Sequence, residues 1–270
     1  MFRGGLALPT SESGVRLYVA GWKDLSLVDV LGSVSFTLWL SHCNFRCPWC
    51  NNSRVARGLE KRKVKVDEVV ERVAEAAPFI DYFHVTGGEP TLQLRALRVL
   101  YEKVREETGL ALSMDTNASI PEALRKIVDI LDHVAVDIKA PLDDPVLYSK
   151  VIGLPVSLGR IQVSRVKMGL RELLGVPFLE LRTTMVPGLI DEEVLARVVT
   201  TLKPYVERTK HRVVYVVQQF IPYETIENPR YRGEKRTDPE TVRKAAKRAK
   251  EILGIETYYR TLEDGTVKLR

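Results

Sequence analysis

The sequence predicts an α/β protein whose parallel strands form a partial (β/α)6 barrel of the TIM type, with short extensions at both ends of the chain. The first observation is an alternation, in which six apolar runs typical of buried strands are each followed by apolar residues at helical spacing. Such alternation favours parallel strands joined by helical crossovers. The second is that polar residues gather where the predicted strands end, as in barrel enzymes. Because eight repeats close a full barrel, six indicate an incomplete one.

Length and composition indicate one globular domain. The chain has 270 residues, of which 45% are hydrophobic, and no linker, internal repeat or low-complexity tract is evident. We expect a single domain over 1–270, with a core over about 30–222, a leader and hairpin within 1–29, and a C-terminal helix and strand within 237–262. No apolar run reaches the ~20 residues of a membrane span, and the N-terminus lacks the layout of a signal peptide. These features predict a cytoplasmic protein without a membrane partner.

The strands are predicted from runs of apolar, often β-branched residues. An edge strand or hairpin is predicted over 15–26, and the first core strand, over 34–40, leads into the cysteines. Further strands are predicted over 80–85, 110–114, 133–138, 178–185, 213–217 and 255–260. The basic connector over 54–65 is interpreted as a solvated loop.

The helices are predicted from apolar residues three and four positions apart. Faces of this kind begin at residues 66, 97, 124, 195 and 242, and the long segment 141–175 is expected to hold two helices, the second around 158–174. Gly109 is expected to end the second helix. Asp238 and Pro239 are typical of a helix cap followed by proline at the first helical position.

All three cysteines lie within eight residues, as Cys43, Cys47 and Cys50. Three thiols at this spacing can converge on one [4Fe–4S] cluster, which normally takes four thiolates. One iron would then lack a protein thiolate, and an open metal position is typical of a catalytic site. A zinc site with His42 as fourth ligand is the alternative, although zinc motifs usually comprise two separated pairs of ligands. No cysteine remains for an auxiliary cluster.

Other candidate site residues follow the predicted strands. Gly87, Gly88, Glu89 and Pro90 form either a plain turn or a place where the backbone approaches a ligand closely. The remaining candidates are Asp115, Thr116, Asn117, Asp137, Lys139, Arg182 and Gln219. Asp137 and Lys139 point to the same face of a strand, where they form either a salt bridge or contacts to a bound ligand. His84 and His133 lie within strand patterns and are interpreted as structural.

The cysteine block and the Gly-Gly-Glu-Pro sequence together resemble the radical S-adenosylmethionine (SAM) superfamily. The resemblance implies that three cysteines hold a [4Fe–4S] cluster and that SAM chelates the fourth iron. An electron from the cluster then breaks SAM to methionine and a 5′-deoxyadenosyl radical. The resemblance also implies that the Gly-Gly-Glu-Pro backbone and Glu89 hold the amino group of SAM, and that Trp49 lies near the adenine. Arg182 would pair either with the SAM carboxylate or with Glu180.

A more specific resemblance, to one group within this superfamily, covers roughly residues 20–260. The segments at 115–117, 137–141 and 184–188 resemble glycyl-radical-enzyme activases, the group that includes activators of anaerobic ribonucleotide reductase and of pyruvate formate-lyase. This implies an anaerobic oxidoreductase that takes a hydrogen atom from a glycine of a partner glycyl radical enzyme, with ferredoxin or flavodoxin as electron donor. One departure is Glu224, which stands where pyruvate formate-lyase activase has a histidine.

Two other functions stay open. The formal charge of +6 permits a nucleic-acid partner, and the arginines and lysines of 54–65 and 230–236 could contact RNA phosphates. No added RNA-binding module is evident, which disfavours this reading. The other alternative is a radical SAM enzyme that acts on a small molecule, for example in a deazapurine pathway.

Overall fold

In the computed structural model, residues 14–270 are described, and their centre is one ten-stranded mixed sheet. Residues 1–13 of the leader predicted within 1–29 therefore lie outside the described residues. The strands are β1 (Arg16–Ser26), β2 (Ser35–Leu40), β3 (Arg62–Lys65), β4 (Tyr82–Gly87), β5 (Ala111–Thr116), β6 (His133–Asp137), β7 (Phe178–Met185), β8 (Arg212–Gln219), β9 (Glu256–Thr261) and β10 (Gly265–Lys268).

The strand order is β10-β9-β8-β7-β6-β5-β4-β2-β1-β3, and the pairs from β2 to β9 are all parallel. The six predicted core strands and the predicted final strand are confirmed. Antiparallel strands extend the sheet at both ends, with β1 and β3 beside β2 and β10 beside β9. The superfamily-type partial barrel predicted from the sequence is thus the observed fold, extended by one parallel strand.

Helices cover the outer face of the sheet, as a parallel sheet buried on both faces requires. They are α1 (Ser53–Ala56), α2 (Val66–Ala76), α3 (Leu94–Thr108), α4 (Pro121–Leu124), α5 (Pro145–Ile152), α6 (Val156–Glu172), α7 (Glu192–Val206), α8 (Pro229–Arg232) and α9 (Pro239–Leu253). Short 3₁₀ turns lie at Ala77–Phe79, Pro90–Gln93 and Val128–Ile130. Gly109 ends α3 in the left-handed conformation, and Asp238 caps α9 by accepting a hydrogen bond from Thr241 N at 3.0 Å.

Two predictions about local structure were wrong. The helix expected from residue 124 is reduced to α4 and a 3₁₀ turn, and the backbone between them makes hydrogen bonds of the 3₁₀ type, such as Ile130 N to Ile127 O at 3.2 Å. Arg98 donates to Lys126 O, and Arg105 Nη2 donates to Ile130 O at 3.1 Å. The connector predicted as a loop contains α1 and β3, since β3 pairs with β1.

The sheet curves around an interior lined by alternate residues of its strands. Phe36 and Phe83 point outward and form an aromatic cluster with Tyr101 of α3. Thr37, His84 and Ser113 occupy neighbouring register positions on the opposite, inner face. The interior is therefore polar, and the main apolar core lies between the sheet and the helices. No helix among the described residues is long and apolar enough to span a membrane.

Candidate functional site

The cysteine loop begins where β2 ends and is anchored to the C-terminal end of α5. Arg46 N donates to Ile152 O at 2.9 Å, and Trp49 Nε1 donates to Val151 O at 3.0 Å. Gly153 follows with φ of +67°, and a Cβ atom there would lie 1.9 Å from Arg46 O. Only glycine permits this close approach, so α5 and the cysteine loop depend on each other.

The Gly-Gly-Glu-Pro turn after β4 packs on the same loop. A Cβ atom on Gly88 would lie 1.9 Å from His42 O, and Glu89 N donates to that carbonyl at 2.8 Å. The buried Glu89 carboxylate accepts hydrogen bonds from Asn117 N and Thr116 Oγ1, both at 2.8 Å. Burial raises the pKa of Glu89, and these hydrogen bonds oppose the rise. Glu89 thus joins the ends of β4 and β5.

Asn117 connects the end of β5 to the cysteine loop. Its Nδ2 donates to Asn44 Oδ1 at 2.9 Å, and Asn44 Nδ2 donates to Ser119 Oγ at 2.7 Å. Cys43, between His42 and Asn44, is thereby held from β4 and β5 together. The Gly-Gly-Glu-Pro turn and the segment at the end of β5, both predicted as site segments, therefore contact the cysteine loop directly.

A cavity of about 1310 Å³ occupies the mouth and interior of the curved sheet. Of the candidate residues, those that line it are Cys43, Cys47, Trp49, Cys50, Gly87, Gly88, Asp115, Thr116, Asn117, Asp137, Lys139, Arg182 and Gln219. Glu89 and Pro90 are not among the lining residues. The Glu89 carboxylate is directed toward Thr116 and Asn117, from which it accepts hydrogen bonds. A direct contact of Glu89 to SAM stays a prediction.

The three thiols are free and lie at the cavity wall. Burial raises the pKa of Cys43 to about 12, and it raises the pKa values of Cys47 and Cys50 as well. Buried thiolates need a positive partner, which a metal centre supplies. The donor set therefore fits an iron–sulfur cluster with one iron open to a ligand in the cavity.

Lys139 brings a positive charge to the cysteines. Its Nζ lies 2.8 Å from Asp137 Oδ2 and 5.0 Å from the centre of the Trp49 ring. Burial alone would lower the pKa of Lys139, but the Asp137 carboxylate keeps it above its ordinary range. The predicted salt bridge between Asp137 and Lys139 is present. Both side chains also line the cavity, where the predicted contacts to a bound ligand would be made.

Arg182 is occupied by protein partners. Its guanidinium pairs with Glu180 at 2.6 Å and with Asp115 at 3.1 Å, and its Nη2 donates to Asp29 O at 2.7 Å. Burial alone would raise the pKa of Asp115, but Arg182 holds it well below its usual range. Of the two alternatives for Arg182, pairing with Glu180 is the one observed, and contact with SAM stays a prediction.

Gln219 also makes structural contacts. Its Nε2 donates to Thr237 O at 2.8 Å, and its Oε1 accepts from Leu262 N at 2.8 Å. It thereby ties β8 to the segments before α9 and after β9. Tyr223 lines the cavity, whereas Glu224 is exposed and is not a lining residue among those described.

Sequence reasoning missed three residues of the site. Gly153 anchors the cysteine loop, and its sequence signal, a glycine after a helix, indicated only a helix end. Asp29 lines the cavity from the segment before β2, and Arg260 lines it from β9, the parallel strand that follows the six predicted repeats. No local pattern marks either residue, because the sheet's curvature brings them into the interior.

The zinc alternative receives no support. Within residues 14–270, no group of three or more His, Cys, Asp and Glu side chains is arranged to hold a single metal ion. His42 Nε2 lies 3.5 Å from Lys61 Nζ, which is an unfavourable position for a metal ligand. A [4Fe–4S] cluster differs because each of its irons takes its own ligand.

Comparison with known proteins gives independent evidence for the family that the cysteine motif resembles. The profile of the radical SAM superfamily matches residues 39–198. A protein of Methanocaldococcus jannaschii, provisionally named a glycyl-radical enzyme activating enzyme, is 29% identical over 77% of this chain and 82% of its own length. The 7-carboxy-7-deazaguanine synthase of Methanopyrus kandleri is 34% identical over 54% of this chain and 64% of its own length.

Solved structures show the same fold. A structure of TYW1 with a lysine-pyruvate adduct bound superposes with a TM-score of 0.59 at 14% identity, over 86% of this chain and 77% of that one. Streptococcus suis SuiB bound to precursor peptide SuiA also gives a TM-score of 0.59, at 15% identity, over 83% of this chain and 48% of that one. The matched profile covers more than half of the sequence, and the chain therefore belongs to the radical SAM superfamily.

Proposed function

We propose that this radical SAM enzyme is a glycyl-radical-enzyme activase whose cluster is held by Cys43, Cys47 and Cys50. The observation that carries the proposal is that three free thiols and ten further candidate residues line one cavity. When bound, the cluster and SAM together supply a 5′-deoxyadenosyl radical that abstracts hydrogen. The protein supplies the binding, orientation and shielding.

The residues divide this work by position. Gly88 lies against His42 of the cysteine loop and Gly87 against Leu40 at the end of β2, and both line the cavity, where their backbone would bind the amino group of SAM. Trp49 would cover the adenine, with Asp137 and Lys139 beside it for hydroxyl and carboxylate groups. Asn117 holds the loop and faces the same space.

Two features support a protein substrate and a protein electron donor. The end strands β3 and β10 are not paired with each other in the described sheet, so its curve stays open along one side for a polypeptide. A second cavity of about 580 Å³ also reaches the three cysteines, and its lining includes the exposed Arg46, whereas Arg57 at the same cavity is paired with Glu227. An acidic ferredoxin or flavodoxin could contact the charge of Arg46 there. The relative from M. jannaschii, which this chain matches over most of its length, favours the activase role.

The test is a glycyl radical signal in electron paramagnetic resonance. The reconstituted and reduced enzyme is mixed anaerobically with SAM and a glycyl radical enzyme encoded in the same genome. We expect a signal that requires both proteins and disappears when the target glycine is replaced by alanine or when Cys47→Ala is used. SAM cleavage without any such signal, across all glycyl radical enzymes of that genome, would refute the activase role and leave the superfamily chemistry standing.

A second candidate is a 7-carboxy-7-deazaguanine synthase. The M. kandleri synthase and that of Hyperthermus butylicus are both 34% identical to this chain, but the matches cover 64% and 48% of their lengths. Formation of 7-carboxy-7-deazaguanine would establish this alternative. RNA modification is less supported, since Arg54 and Arg57 of the basic connector are paired with Glu60 and Glu227.

A further inference from the structure

The strand β10 leaves one edge of the sheet unpaired beside the large cavity. β10 is the last strand of the sheet, and β9 is the only strand of residues 14–270 that pairs with it. Among the described residues, Gly265 and Thr266 of β10 line the cavity, whereas none of β3, at the other end of the sheet, does so. One of the two free edges therefore borders the proposed active site, and the other does not.

The pairing register shows which backbone groups of β10 point outward. Leu269 N donates to Thr257 O at 2.9 Å, and the register of β9 and β10 places these two residues opposite each other. In an antiparallel pair, residues that exchange hydrogen bonds alternate with residues whose N–H and C=O groups point away from the partner strand. By this alternation, Thr266 and Lys268 direct their N–H and C=O groups to the unpaired side. An extended polypeptide can form hydrogen bonds with these groups.

The side chains around this edge also suit a polypeptide. Thr266 stands opposite Arg260, which donates to Thr266 Oγ1 at 2.8 Å and lines the cavity, so Thr266 lies on the inner face of the sheet. Leu262 in the β9–β10 hairpin is 61% exposed, and Leu27 and Val28, which follow β1, are 69% and 63% exposed. All three line the cavity. Exposed apolar side chains beside free backbone groups are typical of a site for a protein segment.

We propose that an extended segment of the protein substrate pairs with the outer edge of β10 as an added strand. This inference rests on the proposed function, in which the reacting residue is a glycine of a partner protein. A glycine has no side chain that the enzyme can hold, so hydrogen bonds to the backbone around it suit its recognition. Since alternate residues of a strand point to one face, the added strand would direct every second residue into the cavity.

The opposite edge of the sheet is protected against such pairing. β3 carries Arg62, Lys63 and Lys65, and charged side chains on an edge strand discourage the addition of another strand. Lys268 is the only charged residue of β10, and its Nζ is occupied by Glu256 at 3.1 Å. The edge beside the cavity is therefore the one that suits a partner.

Amide hydrogen exchange tests the added strand directly. The reconstituted enzyme is incubated anaerobically in deuterated buffer with and without a glycyl radical enzyme encoded in the same genome, and exchange is resolved by residue through fragmentation in a mass spectrometer. We expect the amides of Thr266 and Lys268 to exchange fast in the enzyme alone, and about tenfold more slowly when about nine-tenths of it is bound. The amides of Lys63 and Lys65, which point outward from β3 by the same alternation, should not change.

The glycyl radical signal from the same mixture separates this inference from the proposed function. A radical signal with unchanged exchange at Thr266 and Lys268 would overturn strand addition and leave the activase role standing. Slow exchange in the enzyme alone would also overturn it, because a second copy or another segment of this chain would then occupy the edge. If no radical forms and the two proteins do not bind, both proposals fail.

Proline substitution gives a second test. Thr266→Pro removes an outward N–H, and an edge strand tolerates proline where the N–H does not serve the ladder. We expect the partner protein to bind about tenfold more weakly in calorimetry, because one of its acceptors loses its donor.

Two matched variants control for other effects of that change. Thr266→Val keeps the N–H and removes the hydroxyl, and Lys63→Pro removes an outward N–H from the other edge, so both should bind the partner with unchanged affinity. Unchanged affinity of a folded Thr266→Pro enzyme would contradict the proposal. If Thr266→Pro does not fold, hydrogen exchange in the unaltered enzyme decides.

Discussion

Single side chains at this site serve structure and cavity at the same time. Arg182, predicted as a possible ligand for SAM, joins Asp115, Glu180 and the backbone of Asp29 inside the sheet. Charges buried this deeply persist only when paired, and removing one partner leaves the other uncompensated. The strongest consequences of substitution at this scale should thus be seen in stability, even without ligand.

Glu180→Gln should flatten the acid side of the stability curve. Burial alone would raise the pKa of Glu180, but Arg182 holds it at about 2. A depressed pKa stabilises the fold above the unfolded value and loses that stabilisation as pH falls toward 2. The difference corresponds to about 3 kcal/mol of unfolding free energy. Urea unfolding of the substituted chain between pH 6 and 3 should show a smaller decline than the unaltered chain.

The control for Glu180 is Glu60→Gln, which removes an exposed pair with Arg54. Exposed pairs contribute little, so its curve should follow that of the unaltered chain. Equal declines for Glu180→Gln and the unaltered chain would show that Glu180 is not the source of acid sensitivity.

Glu89→Gln separates a structural role from a ligand role. The Glu89 oxygens accept from Thr116 and Asn117 within the protein, and an amide nitrogen would face one of these donors. We expect a loss of about 1–3 kcal/mol in unfolding free energy of the chain without ligand. If Glu89 acts only on SAM, as the family motif suggests, thermal unfolding without ligand should be unchanged while SAM affinity falls.

At the scale of elements, the cysteine loop owes its shape to three neighbours. The end of α5, the turn after β4 and the end of β5 each contact it through backbone or amide groups. The sequence predicted each of these elements but not the contact from α5. Trp49 and Val151 are 102 residues apart, and no local pattern encodes that pairing. Helical spacing likewise failed after residue 124, where the backbone makes hydrogen bonds of the 3₁₀ type.

Gly153→Ala should disturb the cysteine loop more than a matched glycine elsewhere. Gly153 and Gly254 both end helices at φ near +67° and +68°, but a Cβ atom meets Arg46 O only at Gly153. We expect Gly254→Ala to cost about 1–2 kcal/mol for the left-handed conformation alone. Gly153→Ala should cost about 1–3 kcal/mol more and reduce iron loading after reconstitution. Equal effects of the two changes on stability and iron content would argue against a role of Gly153 in holding the cysteine loop.

At the scale of the whole molecule, hydrophobic periodicity predicted the parallel sheet because each repeat must bury one strand between two layers. The location of the polar cavity wall could be predicted as well, because the carboxyl ends of parallel strands lie at one edge of the sheet. The antiparallel additions β1, β3 and β10 carry weaker patterns, and β3 was missed in a basic connector. The residues that line the cavity from these additions, or from loops such as that of Asp29, follow from curvature and not from local sequence.

The central claim is that Cys43, Cys47 and Cys50 present a cluster to SAM in the large cavity. The most direct measurement is 5′-deoxyadenosine released after anaerobic reconstitution, reduction and addition of SAM. We predict that the unaltered enzyme forms 5′-deoxyadenosine. Cys47→Ala should fold, but it should neither retain the full cluster spectrum nor form 5′-deoxyadenosine. No 5′-deoxyadenosine from a fully loaded and reduced enzyme, or unchanged product from Cys47→Ala, would contradict the account.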